Sequence, residues 1–450
     1  MQFELTIKFI KRLKKAIATQ DTSYIKQEVA ELHPADVHHI ILELNDNEVK
    51  FLLTTFDQEF AAEVITEFDD EYRNKFLKNI SNQELSTYIE YIESDDAVDI
   101  IEDLSDKDRE AVITLIRDTE KAKHITELLR YDEDTAGGLM AKEMIVANVN
   151  WNVNRCIDEI RQQRNKVERI HSIYVVDDNN ILLGRVSLKK LILASDSSYV
   201  RDLYEQDIVT VHTHEKDEDV ANVMSKYDLT AIPVVNIKNQ LLGRITVDDI
   251  VDVVYEHAEE DLQLMSGISV GESIEHDEQI WASAKARLPW LLIGISGGFL
   301  AAYFISLFNE QLIQIPIMAS FIPLIMATGG NVGVQSSTIV VQSLANKNGL
   351  DQKISEKLIN SLLVALINGL IISGLVFGFN LAFQGDVNLA FVISMALFSV
   401  VILASTTGTI TPIILDRMNI NPALASGPFI TTANDLLGIS VYFGVAAIML

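Results

Sequence analysis

Hydrophobic residues are distributed unevenly along this chain. The last third contains five long apolar stretches, at 288–308, 311–346, 358–385, 387–415 and 418–450, with very few charged side chains. A helix needs about 20 apolar residues to cross the hydrocarbon core of a bilayer. Five such stretches in succession argue against the alternative, a buried core in a large soluble protein. The sequence therefore predicts five membrane-spanning helices.

The first part of the chain shows short helical patterns instead. A motif of helically spaced apolar residues that ends in an acidic or polar cap recurs at 35–46, 62–70 and 97–106. Short helices that repeat in this way stack on their neighbours into a solenoid. We therefore predict an all-α superhelical domain at the N-terminus.

Two later segments repeat one another at a constant offset. Residues 173–194 and 232–253 each contain a β-branched run, a polar turn, the letters LLGR, a second short strand and a helix. Internal similarity of this kind predicts a duplicated α/β module. The arrangement resembles a tandem pair of cystathionine-β-synthase (CBS) domains, which are regulatory modules that often bind adenine nucleotides.

The CBS resemblance implies a nucleotide contact in one repeat only. In that family a Thr or Ser followed three residues later by Asp commonly contacts ribose, and Thr246 with Asp249 matches this spacing. The first repeat has Ser187 followed by Lys190 and does not match. The candidate ligand is ATP or another adenine nucleotide. The alternative interpretation is a helix N-cap with an acid in the first turn.

An acidic segment connects the second module to the first apolar stretch. Its pattern predicts a helix from Asp248 to about Leu264, and Gly267 and Gly271 are expected to loosen the chain after that helix. Any force from the soluble part on the membrane helices must pass through this connecting helix.

The soluble part carries nearly all of the charge. The chain has 64 acidic and 36 basic residues, a formal net charge of -28, and only six of those acids and five of those bases follow residue 286. Such a surface repels nucleic-acid phosphates and attracts divalent cations, so no nucleic-acid partner is expected. Cations that bridge two acidic faces would relieve the self-repulsion, which is the physical basis of a cation sensor.

One short segment near the N-terminus has the opposite charge. Its bases are Lys8, Lys11, Arg12, Lys14 and Lys15. The pattern predicts a short amphipathic helix, with contact to a membrane surface as the alternative role.

Basic residues between the apolar stretches set the expected orientation. With the soluble part inside, Lys347, Lys353, Lys357 and Arg417 all fall in inner connections, and the outer connections hold no base. Short cytoplasmic loops retain Lys and Arg, so we expect a cytoplasmic head and, after five spans, a C-terminus on the far side. The single cysteine, Cys156, agrees with a cytosolic head.

One ionisable side chain lies deep within a predicted span. Asp435 has 17 uncharged residues before it and 15 after it. A carboxylate at mid-membrane costs about 2.5–3.5 kcal/mol on insertion scales and usually marks an ion path. The alternative, pairing with a buried base, fails because the spans contain no Lys or Arg. Nearby Asn, Thr and backbone oxygens, without His or Cys, favour Mg2+ or Ca2+.

Two unusual segments make a family resemblance specific. Residues 323–341 read PLIMATGGNVGVQSSTIVV, and residues 421–438 read NPALASGPFITTANDLLG. Together with the domain order, they resemble the MgtE family of bacterial magnesium channels over essentially the whole chain. The resemblance implies a homodimer in the bacterial inner membrane, with a pore between the subunits lined by the second and fifth spans.

The resemblance also implies roles for individual residues. Asp435 becomes the ion-binding acid of the pore, with Asn331 in the neighbouring pore-lining motif. The other lining candidates in these two motifs are Asn434, Ala425, Gly329 and Gly330. Regulatory Mg2+ positions fall on acids of the head and the connecting helix, namely Glu63, Asp95, Asp99, Glu218, Asp228, Asp249, Asp252, Glu260 and Asp261.

The chain departs from the family pattern at two positions. Asn421 stands where the family often has an acid, and His257 occupies what looks like an acidic position of the connecting helix. Individual regulatory sites are therefore expected to be weaker or missing.

These features predict a multidomain membrane protein with four parts. They are an acidic helical domain at 1–131, tandem CBS domains at 132–257, a connecting (plug) helix region at 258–285 and a five-helix pore domain at 286–450. The expected function is a Mg2+-selective uptake channel gated by cytosolic Mg2+ between acidic faces. Divalent cations, membrane lipid and a second copy are the expected partners, and no enzymatic activity is expected.

Two other functional classes compete with the channel. An ion-coupled carrier for Mg2+ or Co2+ usually has further intramembrane ionisable groups, and here there is only Asp435. A membrane-anchored nucleotide-sensing receptor would explain the CBS pair but not an acid at mid-span. A pump is disfavoured because the sequence has no Gly-rich Lys-Ser/Thr phosphate loop.

Overall fold

The chain folds into two compact units, Met1–Val254 and Tyr255–Leu450. The computed structural model describes residues 4–164, 167, 169–268, 279–345, 354–384, 386–425 and 427–449. The first unit contains the helical domain and the two α/β modules, and the second contains the apolar helices. Buried apolar side chains form separate cores in the two units.

Ten short helices form the start of the first unit. They are α1 Ile7–Ala18, α2 Thr22–Glu28, α3 Pro34–Ile41, α4 Asp46–Thr55, α5 Gln58–Thr66, α6 Asp70–Leu77, α7 Asn82–Ile89, α8 Ser94–Glu102, α9 Asp106–Leu115 and α10 Thr119–Leu128. Side-chain caps start most of them, and α4 and α7 begin with full capping boxes. Alternate helices pack against one another: α3 contacts α5, α5 contacts α7 and α7 contacts α9. This stacking confirms the predicted superhelical domain.

Two α/β modules follow. The first contains β1 Ile145–Asn148, α11 Val153–Gln162, β2 Ile173–Val176, β3 Leu182–Val186 and α12 Leu188–Leu193; the second contains β4 Val211–His212, α13 Asp217–Lys226, β5 Ala231–Val235 and β6 Leu241–Thr246. In each module the first strand pairs parallel with the second, which pairs antiparallel with the third. The shared topology confirms the duplication predicted from the repeats.

The modules bond to each other at equivalent positions. The backbone N–H of Leu182 donates to the carbonyl of Asn239 at 2.9 Å, and that of Leu241 donates to the carbonyl of Asn180 at 3.0 Å. These reciprocal bonds relate the two modules by an approximate two-fold symmetry, as expected for a tandem pair.

The predicted connecting helix is observed as α14, Val247–Met265. Gly267 follows it with φ of +72°, a left-handed conformation that glycine adopts without strain. The second predicted helix breaker, Gly271, lies outside the described residues.

The second unit consists mainly of long apolar helices. They are α15 Gln279–Ser306, α16 Asn309–Gln314, α17 Ile322–Ala345, α18 Ile354–Gln384, α19 Val387–Arg417 and α20 Pro428–Met449, with 3-10 turns at Pro316–Phe321 and Pro422–Ala425. Within the described residues, five helical segments are long and apolar enough to cross a membrane. The prediction of five spans is confirmed.

Small residues allow α17 and α19 to approach closely. A Cβ atom on Gly408 would collide with the backbone of Gly333, so only glycine fits at this crossing. The hydroxyl of Tyr442 on α20 donates to the carbonyl of Met318 at 3.0 Å and is buried there. The three helices α17, α19 and α20 thus form the packed centre of this unit.

Candidate functional site

Asp435 lies on α20 of the membrane unit. Its side chain is partly exposed, and no described residue forms an ion pair or a side-chain hydrogen bond with it. A Cβ atom on Gly330 of α17 would lie 3.7 Å from Asp435 Oδ1 and 3.0 Å from Thr431 Cγ2. The glycine therefore lets α17 pass close to α20 beside the carboxylate.

Asn331 and Asn434, both predicted to line the pore, have opposite environments. Asn331 is exposed on α17 next to Gly330, whereas Asn434 is 1% exposed. Asn434 Oδ1 accepts from Thr407 Oγ1 at 2.7 Å, and its Nδ2 lies against Gly333 without an acceptor among the described residues. The amide of Asn434 thus joins α20 to α17 and α19, and its lining role stays a prediction.

Gly329 and Ala425, two further lining candidates, are buried. A Cβ atom on Gly329 would meet Val400 at 3.1 Å and the Asn434 carbonyl at 3.7 Å, so this glycine serves the close packing of α17. The Ala425 carbonyl accepts from the fully buried Ser337 hydroxyl at 2.8 Å. The Ala425 carbonyl therefore already accepts a hydrogen bond from within the protein. The sequence showed the small residues but could not show these contacts.

The end of the connecting helix contacts the segment before α20. Asp261 Oδ1 accepts from Asn421 Nδ2 at 2.9 Å, and a Cβ atom on Gly427 would collide with the carbonyl of Met265. Asn421, where the family often has an acid, therefore bonds an acid of the connecting helix. His257 Nδ1 lies 3.8 Å from Glu260 Oε2 on the same helix. The two departures from the family pattern each place a potential donor beside a predicted regulatory acid.

A cluster of acidic side chains lies in the first unit where α8 faces the start of α14. Asp95 is nearly buried on α8, Asp96 is partly buried beside it, and Asp249 on α14 is close enough to repel both. Burial first, and then the charges of Asp96 and Asp249, raise the pKa of Asp95 well above its usual range. Burial, followed by the charges of Asp99 and Asp249, raises the pKa of Asp96 to about 8. Sequence reasoning missed Asp96, although it adjoins a predicted residue.

A buried ion pair holds this interface together. Arg244 Nη2 bonds both carboxylate oxygens of Glu93, at 2.7 and 2.8 Å, and Arg244 Nε donates to the Glu143 carbonyl at 2.7 Å. Ser94 donates to Glu143 Oε2 from its hydroxyl at 2.7 Å and from its backbone N–H at 3.0 Å. These bonds join the helical domain to the second module and the segment before the first strand. They keep the acids of α8 and α14 facing each other despite their repulsion.

Thr246 and Asp249, the predicted nucleotide contacts, bond to each other. Asp249 Oδ2 accepts from the Thr246 hydroxyl at 2.6 Å and from the Thr246 backbone N–H at 3.0 Å. The second bond is the back-bond of a helix capping box. This back-bond is what the capping interpretation expects at the start of α14, and the role of the pair in nucleotide binding stays a prediction.

The remaining regulatory candidates are dispersed. Burial raises the pKa of Glu67 at the end of α5, and the charge of Asp252 on α14 raises the pKa of Glu67 further. Glu63, Glu218 and Asp228 are exposed at separate places. Within the described parts of the chain, no three His, Cys, Asp or Glu side chains are grouped to hold one metal ion. The structure therefore shows facing acids rather than a formed coordination site.

A cavity of about 200 Å³ lies between the two α/β modules. Its lining includes Tyr174 and Arg185 from the first module and Tyr227 and Pro233 from the second. The Tyr174 hydroxyl is buried without a partner among the described residues. Two aromatic rings, a guanidinium and an unsatisfied hydroxyl are suitable contacts for a polar planar ring. Sequence reasoning missed these residues, since the nucleotide signature it used lies elsewhere.

The raised pKa values predict a pH-dependent stability. An unfolded aspartate titrates near 4, whereas Asp96 in the folded protein titrates near 8, so the folded state binds protons more tightly. The stabilisation from these protons is complete below about pH 4 and is lost as the pH rises through about 8. Without divalent ions, we expect the thermal unfolding midpoint of the first unit to fall across this window.

Mg2+ should offset that loss, because it binds only the ionised carboxylates. The increase in unfolding midpoint on adding Mg2+ is expected to be larger at about pH 8 than at about pH 6. Asp96→Asn should reduce the pH dependence, whereas Glu110→Gln, at an exposed position on α9, should leave it unchanged. An equal Mg2+ effect at both pH values would contradict this account of the cluster.

The five apolar helices and the comparisons with known proteins place the chain among multi-pass membrane transporters of divalent cations. Three family models match successive parts of the chain: the MgtE intracellular N domain at 32–134, the CBS domain at 136–197 and 200–256, and the divalent cation transporter model MgtE at 322–445. The chain belongs to the MgtE family. This confirms the resemblance noted in the sequence.

Curated relatives agree with this assignment. The magnesium transporter MgtE of Enterococcus faecalis is 34% identical over 332 residues, covering 74% of this chain and 73% of that protein. The magnesium transporter MgtE of Bacillus subtilis is 32% identical over 329 residues, covering 73% of this chain and 72% of that protein.

Two solved structures resemble the soluble part. The soluble part of a magnesium transporter aligns with a TM-score of 0.51 at 27% identity, covering 55% of this chain and 98% of that chain. The cytosolic domain of the Mg2+ channel MgtE in complex with ATP aligns with a TM-score of 0.51 at 31% identity, covering 54% of this chain and 99% of that chain.

Proposed function

We propose that this protein is a Mg2+-selective channel that mediates magnesium uptake, with Asp435 binding the passing ion. The observation that carries the proposal is the partly exposed carboxylate of Asp435, which has no partner among the described residues of a membrane-spanning unit. Such a group is costly unless cations or water reach it. The names of the relatives, magnesium transporters and a Mg2+ channel, support the choice of ion.

The pore is proposed to lie between two copies of the chain. Asp435 stays partly exposed within the single chain, and Asn331 is exposed on the adjacent helix. Mg2+ gives up its water reluctantly, so a path with a single carboxylate per subunit suits a largely hydrated ion. Two such carboxylates related by symmetry would attract the ion from both sides.

Cytosolic Mg2+ is proposed to gate this channel through the acids of the head. The acids of α8 face Asp249, and Glu67 lies near Asp252, so α14 meets acids of the helical domain at two places. Mg2+ between these faces would replace repulsion by attraction and favour the compact state. We propose that low Mg2+ lets the faces separate and that α14 passes this change to the membrane helices.

The domain boundaries and the orientation belong to the same proposal. The division into parts at 131, 257 and 285 stays a prediction, as do the bacterial inner membrane, the cytoplasmic head and the outer C-terminus. They are supported by the positions of the family models and by the basic residues of the predicted inner connections.

An ion-flux measurement separates the channel from its alternatives. In proteoliposomes, a channel lets Mg2+ enter in proportion to an imposed membrane potential and needs no other ion gradient. An ion-coupled carrier would require its coupling ion, and a receptor would give no flux. Uptake that persists without potential but stops when a proton or sodium gradient is removed would overturn the proposal.

Adenine nucleotide is proposed to bind in the cavity between the α/β modules. The ATP complex of the related cytosolic domain supports a nucleotide as the ligand. Tyr227 is 51% exposed at this cavity and is available for stacking on the base. Since stacking contributes about 1–3 kcal/mol per base, Tyr227→Ala should weaken ATP binding on the order of tenfold or more.

Titration calorimetry with ATP tests this assignment. The matched control is Tyr199→Ala, which removes a tyrosine of similar exposure outside the cavity and should leave the affinity unchanged. Unaltered ATP binding by the Tyr227 variant would place the nucleotide elsewhere. Asp249→Asn then tests the ribose contact implied by the sequence.

A further inference from the structure

The helix α1 has two faces of opposite character. Leu13, Ala16 and Ile17 are buried against the helical domain. On the other side, the exposed bases Lys8, Lys11, Arg12 and Lys15 follow helical spacing, and Lys14 lies at their edge; these five residues are the basic face of α1. No acidic residue occurs within the helix. The basic face is thus continuous and open.

Intramolecular interactions do not account for this face. Lys8 and Arg12, and likewise Lys11 and Lys15, stand four residues apart, where like charges destabilise a helix. Lys8 also lies in the first turn, where the helix dipole disfavours a positive charge. None of the five bases forms an ion pair with a described residue, although acids outnumber bases almost two to one in the chain.

The buried apolar side limits what the basic face can contact. A free amphipathic helix inserts its apolar face into a membrane, but here that face already packs in the core. What remains is a polybasic surface with the exposed Ile7 beside it, 78% accessible. Such a surface is suited to a broad negatively charged partner rather than to a buried small ligand.

We propose that the basic face of α1 docks on the anionic phospholipid headgroups of the bilayer. The protein spans a membrane, so this surface is always present, and clusters of four to eight Lys or Arg are typical of anionic-lipid contacts. The rest of the head is strongly acidic and is repelled by the same lipids. Electrostatics therefore selects α1 as the segment that meets the bilayer.

A fluorescent label on α1 of the full chain tests the proposal. Ile7→Cys introduces an exposed thiol next to the basic face, and the single native cysteine, Cys156, is fully buried. The protein is labelled with an environment-sensitive dye and reconstituted in phosphatidylcholine vesicles with or without about one third phosphatidylglycerol. We expect a blue-shifted, brighter emission in the anionic vesicles only, and its loss at about 0.5 M salt.

Charge variants distinguish the basic face from general charge effects. Lys11→Gln with Lys15→Gln should weaken the contact on the order of 30-fold, since each base near an anionic membrane contributes about 1 kcal/mol. The control, Lys26→Gln with Lys107→Gln, removes the same charge at exposed positions outside α1 and should keep the signal. All of these side chains are exposed, and thermal unfolding checks that every variant is folded.

Three outcomes would overturn the proposal. The first is the same emission in neutral and anionic vesicles, and the second is an anionic-lipid signal that survives the Lys11 and Lys15 substitutions. The third is a signal that depends on the number of proteins per vesicle rather than on lipid charge. This last result would assign the basic face to the acidic surface of a second copy.

Discussion

Replacing Asp435 by alanine is expected to reduce Mg2+ uptake on the order of 100-fold or more, because the proposed path then has no negative charge to attract a largely hydrated divalent cation into an apolar unit. The carboxylate has no partner among the described residues, so its removal breaks no bond. An uncompensated charge in an apolar unit is itself unfavourable, and the variant should be at least as stable as the parent. Loss of flux without loss of stability is the expected combination.

Fluorescent Mg2+ indicators inside proteoliposomes measure this effect. Asp435→Asn should resemble alanine, since it keeps the size of the side chain but not the charge. Asp416→Asn is the matched control, because this acid lies next to the last residue of its span, at the end of α19, rather than deep inside a span. Flux and selectivity equal to those of the parent in the Asp435 variants would exclude this residue from the ion path.

The isolation of Asp435 could be predicted because it is a local property of the sequence. A charge among apolar residues is visible without knowing what packs around it, and so are the five spans and the repeat of the α/β modules. The connecting helix was predicted to within a residue or so at each end for the same reason, since its apolar spacing and the following glycine are contiguous.

The orientation of neighbouring side chains could not be predicted in this way. Asn434 adjoins Asp435 in sequence, yet it is buried and bonded to Thr407 because one step along a helix turns the side chain by about 100°. The Ser337 bond to the Ala425 carbonyl joins residues 88 positions apart. Such contacts depend on which helices pack together, and no local pattern specifies that choice.

The contacts that hold the acidic cluster together could not be predicted from the sequence either. The resemblance supplied Asp95, Asp99 and Asp249, but the bonds that hold their surfaces together come from Arg244 and Glu93, which are 151 positions apart. A charge count identifies an acidic domain and cannot show which acids face each other. The sequence did offer a helix cap as the alternative for Thr246 and Asp249, but it gave no sign that a cavity lies beside other residues of the modules.

The facing acids lead to the second large prediction, for the triple variant Asp95→Asn, Asp99→Asn and Asp252→Asn. A Mg2+ ion between two carboxylates attracts both, whereas two neutral amides neither attract nor repel each other strongly. The variant head should therefore be less tightly held than the parent at high Mg2+ and less repelled at low Mg2+. The difference between the compact and the separated state of the head at high and low Mg2+ should therefore be smaller than in the parent. Substantial flux should persist at an internal Mg2+ concentration that closes the parent.

Patch recording with Mg2+ varied on the head side measures this response directly. The matched control, Glu31→Gln, Glu43→Gln and Glu110→Gln, changes the net charge equally at exposed positions on other helices of the head and should close like the parent. Normal closure of the Asp95, Asp99 and Asp252 triple variant would move the sensor to other acids, with Glu260 and Asp261 next to be tested. Loss of closure in the control as well would show that total charge, rather than these facing surfaces, sets the response. The two variant sets thus decide whether repulsion is sensed at one interface or over the whole head.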